Sequence, residues 1–159
     1  MTRWIRCAAA CGALALCLAG CGMKDGVYTA EFAHFDSLGY KDRLQITVEE
    51  GVITGADFDA VDGDGGLKSE DQVYAARMAP LCGVSPAQIS EYYQQALVGL
   101  EKPKELEADA ISGATVSARR FEALWQALQT PMSKGDTAPV TVADIPEFAV
   151  DAAESGQGE

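Results

Sequence analysis

Between Gly26 and Phe58 apolar side chains recur at every second residue, and from Ser85 to Gln129 they recur at every third or fourth. That change of period confines the chain to strands first and helices after. Tyr28, Ala30 and Phe32 alternate with Val27, Thr29 and Glu31, and Leu44, Ile46 and Val48 with Gln45, Thr47 and Glu49. Past a tight turn at Glu50-Gly51, the period continues through Val52, Thr54, Ala56 and Phe58. Three such strands on short connections predict an antiparallel meander with one buried face.

Helix signals follow. Ser69-Glu70-Asp71-Gln72 predicts a capping box opening a short helix. Ser85-Pro86-Ala87-Gln88 predicts a second, with proline at the first helical position. Its Ile89, Tyr93, Ala96, Leu97 and Leu100 fall on one stripe. A third helix is expected from near Ser112 to about Gln129, with Ala114, Ala118, Phe121, Trp125 and Leu128 turned to the sheet. The expected fold class is α+β, a small antiparallel sheet (meander) packed by about three helices in a single domain. The length of 159 residues suits one domain.

Acidic residues outnumber basic ones 24 to 12, which excludes a nucleic-acid binder, since phosphate contacts need clustered Lys and Arg. From Pro131 the pattern gives way to Pro, Gly, Ser, Ala and acids, so 131–159 is expected to be a disordered acidic tail. Asp62-Gly63-Asp64-Gly65-Gly66 invites a calcium reading, but counting from Asp62 puts Leu67 where an EF-hand needs glycine. Turn chemistry accounts for it. No metal site is expected.

The amino end has its own logic. Arg3 and Arg6 precede an apolar run from Cys7 to Leu18. That run falls short of the roughly 20 residues a spanning helix needs and fits a secretory signal peptide. Leu18-Ala19-Gly20-Cys21 resembles the bacterial lipobox. The resemblance implies cleavage before Cys21 and acylation of its thiol. The expected segments are therefore a leader over 1–20, a lipidated cysteine and short tether over 21–25, and a folded domain over 26–130. The implied location is the extracytoplasmic face of the cell membrane, held through lipid on Cys21.

Processing would remove Cys7, Cys11 and Cys17 and modify Cys21, leaving Cys82 alone. A lone cysteine forms no internal disulfide, no CxxC pair and no metal cluster, so packing must hold the domain together. The mature chain would carry 10 basic and 24 acidic residues, a formal −14. An anionic bilayer repels such a domain, so the acyl chains must do the anchoring.

The stretch Asp109-Ala110-Ile111-Ser112-Gly113-Ala114-Thr115-Val116-Ser117 carries the chemistry. Ser112 can serve as N-cap, which would put Thr115 at the third helical position. Free N–H groups and the positive end of the helix dipole would stabilise an anion there, phosphate being the obvious candidate. Gly113 and Ala114 would let a bulky phosphorylated ligand approach the backbone. A plain capped helix start accounts for the same residues.

Asp-x-x-Ser-Gly-Ala-Thr-x-Ser resembles the flavinylation motif of FMN-binding domains. These occur in the C subunit of sodium-pumping NADH:quinone oxidoreductase, the Rnf G subunit and small extracellular electron-transfer lipoproteins. The resemblance implies FMN joined through its phosphate to the Thr115 hydroxyl by a flavin transferase. Asp109, Ser112, Gly113, Ala114 and Ser117 would be the surrounding recognition and cofactor-binding residues. Gly26–Phe32, Asp36–Lys41, Phe58–Val61 and Leu67–Asp71 are similar to the small-lipoprotein branch, so the likeness covers residues 25–129. Relatives often carry a histidine and a tryptophan around Leu38 and Tyr40. The chain departs there, at a position where Tyr40 would contact the flavin.

Such a protein needs no catalytic residue, because the isoalloxazine ring carries the electrons. It is expected to be a redox carrier rather than a stand-alone catalyst, fed by a membrane quinol or a flavoprotein. Tyr28, Tyr40, Phe58 and Tyr74 are candidates to line the flavin, each with core packing as its plainer role. His34, the only histidine, reads as a surface residue and Cys82 as a small buried hydrophobe. Three readings stand: a covalent FMN electron carrier; a non-covalent FMN-binding accessory or sensor lipoprotein; and a non-redox surface lipoprotein.

Overall fold

A computed structural model of the chain describes residues 22–106 and 112–145. The leader with Cys21, Asp109 of the motif, and the last fourteen residues of the expected tail lie outside them.

Strands β1 (Gly26–Phe32), β2 (Lys41–Glu49) and β3 (Val52–Val61) form the expected antiparallel meander. Tyr28, Ala30, Phe32, Leu44, Ile46 and Val48 all turn inward and are buried. Glu50 and Gly51 close the β2–β3 hairpin with positive φ of 53° and 77°, the left-handed pair that suits the twist of the flanking strands. Beyond the hairpin the simple alternation fails. Thr47 pairs with Gly55 and Val48 with Ile53, so Thr54 is an extra residue, a bulge. The bulge buries Ile53 in place of Val52 and restores the inward phase at Ala56 and Phe58.

Helices α1 (Gln72–Cys82), α2 (Pro86–Leu97) and α3 (Thr115–Lys134) follow, with a short 3₁₀ turn at Pro103–Glu105. The α2 start matches expectation: Ser85 and Gln88 form a reciprocal capping box with Pro86 behind it. At α1 the cap is Asp71, not Ser69. Its Oδ1 accepts from the N–H groups of Val73 and Tyr74, both at 2.9 Å. Carboxylate and hydroxyl compete for the same donors, and the aspartate sits at the right distance.

The expectation of a tail from residue 131 is corrected in its first part. Helix α3 runs to Lys134, with Pro131 inside it and Met132 fully buried, and ends on Gly135 in the left-handed region. Residues Val140–Val142 then form β4, which pairs parallel to β1. The sheet is therefore mixed, in the order β3-β2-β1-β4. The α+β single domain stands, with one strand more than the pattern predicts.

The core lies between the sheet and the faces of α2 and α3. Phe58, Tyr93 and Phe121 form its aromatic centre. Tyr93 stacks on Phe121 at 3.9 Å between ring centroids, and Phe58 meets both edge-on at 5.3 Å. Met23 is buried in the same core, and the Lys24 N–H donates to the Met132 carbonyl at 2.8 Å. Met23 and Lys24 are therefore already part of the folded domain, inside the segment expected as tether over 21–25.

Candidate functional site

At one end of the domain the turn after β1, the start of β2, the end of β3 and the starts of α2 and α3 surround a cleft of about 440 Å³. That volume falls within the range of roughly 300–1,000 Å³ typical of small-molecule sites. Phe58, Met78 and Ile89 supply apolar wall, and Tyr74 an aromatic edge. Gly113, Ala114, Thr115 and Ser117 line the same cleft. Helix α1 buries none of its own residues, yet Tyr74, Met78 and Cys82 make it one side of this space.

The motif sits differently from the expected cap. Helix α3 begins at Thr115, with Ala114 in the capping position and no side chain bonded to the first turn. Ser112 is exposed and lies two residues too early to cap. Ala114 is buried and pins the helix start to the core, while Thr115 stands exposed at the lip. Among the described residues no side chain accepts from the first-turn N–H groups, which lie at the positive end of a 20-residue helix.

Gly113 meets a packing demand that the motif alone does not announce. It has φ +84°, and a Cβ there would meet the Cys82 carbonyl oxygen at 2.0 Å. Its lack of a side chain is thus required by the seating of α3 against the end of α1, while the residue still lines the cleft. Cys82 itself is half-buried and borders the cleft.

Beneath the lip lies an ionic cluster that pattern reading does not single out. Arg120, on α3, donates through Nη1 to Asp42 Oδ2 at 2.5 Å and to Asp36 Oδ2 at 3.2 Å. Lys68 Nζ stands 3.8 Å from the same Asp36 oxygen. All four side chains are largely withdrawn from water, with 10–15% exposure. Burial pushes the Asp42 carboxyl above its ordinary value, against the lowering pull of Arg120 and Lys68. Burial pulls Arg120 down, but Asp42 and Asp36 outweigh it, and its net shift is upward. A signal for the cluster does exist in the sequence. Asp42 shares the inward phase of Leu44, Ile46 and Val48, where an uncompensated carboxylate would be costly.

Tyr40 does not line the cleft. Its hydroxyl donates to Asp71 Oδ2 at 2.7 Å, and its ring meets Tyr74 edge-on at 6.0 Å. The bond to Asp71, then burial, pushes the Tyr40 hydroxyl up to about 12. Lys68 Nζ lies over both rings, 5.0 Å from Tyr40 and 4.5 Å from Tyr74. Tyr40 thus braces Tyr74 and Lys68, which do reach the cleft. Of the other aromatic candidates, Phe58 and Tyr74 line it. Tyr28 lies at the opposite end, its hydroxyl donating to the Lys24 carbonyl at 2.7 Å. His34 is exposed and bonded to Asp144 at 2.6 Å. In the acidic loop, Asp62 Oδ1 accepts from the N–H groups of Asp64 and Gly66, as turn chemistry requires.

A second recess of about 510 Å³, bounded by Tyr93, Lys104, Phe121 and Trp125, shares Thr115 with the first. Among the described residues no group of three or more His, Cys, Asp or Glu side chains is disposed to hold a metal ion, and no helix is long and apolar enough to cross a membrane.

Fold and site define a small α+β domain with an exposed threonine at the rim of a mixed apolar and ionic cleft. No family model matches the chain. It is 33% identical over 132 residues to the 15 kDa lipoprotein of Treponema pallidum, covering 79% of this chain and 92% of the relative. The chain belongs to the family of this lipoprotein. The crystal structure of the CPE2226 protein of Clostridium perfringens superposes with a TM-score of 0.70 at 32% identity, over 77% of this chain and 99% of that one.

Proposed function

We propose that the protein is a lipid-anchored, extracytoplasmic electron carrier whose FMN is joined through phosphate to Thr115. The observation that carries the reading is the exposed Thr115 hydroxyl, at an uncapped helix start, on the lip of a cleft large enough for a small planar ligand. The Cys21 lipid anchor follows from the lipobox and agrees with the lipoprotein relative.

The residues present fit such a group. Uncapped N–H groups of the first α3 turn suit a phosphate, and esterification to a hydroxyl lowers its charge from about −2 to −1, which eases its presence in an acidic domain. Phe58, Met78, Ile89 and Tyr74 would hold a flat aromatic system, beside the ion pairs that Arg120 and Lys68 make with Asp36 and Asp42. When bound, the isoalloxazine ring supplies the electron-accepting and electron-donating chemistry. The chain's own task is to fix the ring's tether, shield it from water and hold Arg120 in place through Asp36 and Asp42.

Intact mass and a visible spectrum, with and without co-expressed flavin transferase, test the reading. The expected product gains one FMN less water, localised to the peptide that contains Thr115. An unmodified peptide from a cell that has the transferase would overturn it.

A further inference from the structure

The start of the domain and the cleft lie at opposite ends. Met23 is core, and only Gly22 separates it from Cys21, a reach of about 7 Å. Around Met23 and Lys24 gather the last turn of α3, the β2–β3 hairpin and the exit from α2. Lys24 N bonds Met132 O at 2.8 Å, and a Cβ at Gly135 would touch Lys24 at 3.4 Å. Gly51 N donates to Asp25 Oδ1 at 3.0 Å, and Gly99 N donates to the Ile53 carbonyl at 2.8 Å. The cleft is built from the other termini of the same elements: Asp36 after β1, Asp42 at the start of β2, Phe58 near the end of β3, and Thr115 at the start of α3. Helix α3 joins the two ends, and its 20 residues span about 30 Å.

We infer that the domain stands on its anchor with the cleft mouth turned to the aqueous phase, so that whatever exchanges with the cleft reaches it from the water side and is not a lipid-dissolved molecule. A 7 Å tether cannot carry the far end to the bilayer without lifting the anchored end by the length of α3. Laying the domain on its side would press an acidic surface against an anionic one, which repels it: residues 22–106 and 112–145 hold 18 Asp and Glu against 10 Lys and Arg. Exposed Leu38 and Val116 at the mouth are then free for contact with a partner domain in the aqueous phase.

The inference rests on the lipid-anchor part of the proposed function and is independent of flavin. The test uses the full lipidated chain without flavin, with Cys82→Ala and a nitroxide at either Val116→Cys or Lys134→Cys, two exposed positions at the two ends of α3. Vesicles of phosphatidylcholine and phosphatidylglycerol carry a nickel-chelating headgroup lipid. Nickel at the surface should relax the label at position 134 at least threefold more strongly than the one at 116. A smaller or reversed difference overturns the orientation. Diacylglycerol on Cys21 is weighed in the same sample. A chain that lacks it overturns the anchor and the inference together, whereas a lipidated chain with equal relaxation overturns the orientation alone.

Discussion

The carbonyl of Cys82 closes on Gly113, leaving no room for a side chain: an added Cβ would stand 2.0 Å from the oxygen and 2.9 Å from the carbonyl carbon. Backbone meets backbone, so no rotamer can relieve the contact. Gly113→Ala should therefore lose at least about 1–3 kcal/mol from the left-handed φ alone, with the clash in addition. Urea unfolding measures it. An unchanged midpoint would show that α1 and α3 do not meet as described.

Thr115 is exposed and caps nothing, so Thr115→Ala should leave stability within about 0.5 kcal/mol of the parent. The same variant should lose all flavin that survives denaturation, while Thr115→Ser keeps part of the loading because a hydroxyl remains. Retention of colour by denatured Thr115→Ala would exclude the attachment point.

Arg120 holds two withdrawn carboxylates. Arg120→Gln should cost about 3–5 kcal/mol at neutral pH, because Asp42 and Asp36 lose their principal counter-charge. The sign of the pH dependence follows. An aspartate whose folded value is raised opposes folding while charged, and that penalty fades as pH falls through the raised value. The variant should recover stability relative to the parent as pH falls from neutral. A loss that does not change with pH would count against the ionic cluster.

Tyr40 and Asp71 can be followed by ultraviolet titration. The Tyr40 phenol should ionise near 12 and fall toward its ordinary value in Asp71→Ala. Asp71 is itself held below the ordinary carboxylate range, by the Tyr74 N–H first and the Tyr40 hydroxyl second. A depressed value means the cap is intact above the unfolded value of about 4 and is lost as pH falls through the folded one. The α1 signal should therefore be flat from pH 8 to pH 5 and weaken only below about 4. Weakening that began near pH 6 would argue for a different cap.

Met23 belongs to the core. Met23→Ala should cost about 2–5 kcal/mol, as for other buried methionines. Thermal unfolding of chains that start at Cys21 and at Asp25 makes the same comparison, and equal melting temperatures would place Met23 outside the core.

Strand alternation, the Ser85 box and the α3 stripe were legible because each rests on local periodicity. Three features were not, and each depends on something distant. The bulge at Thr54 exists because β3 must keep Ile53, Ala56 and Phe58 inward against β2. Strand β4 is only three residues long and owes its form to the open edge of β1. The packing demand on Gly113 comes from the Cys82 carbonyl, 31 residues earlier in the chain. Within the site, the motif residues from Ser112 to Ser117 announced themselves by order alone. Arg120 and Lys68 did not, since their carboxylate partners Asp36 and Asp42 come from elsewhere in the chain.

Strand β4 runs parallel to β1, pairing Ala30 with Val140 and Phe32 with Val142. The backbone thus enters at one pole of the domain and leaves β4 toward the other. Tension between a tethered start and a load on the far terminus would slide these two strands along each other, so that their ladder bonds must yield together instead of unzipping singly. Under a pull applied at Met23 and at Val142, that is the mechanically tougher arrangement.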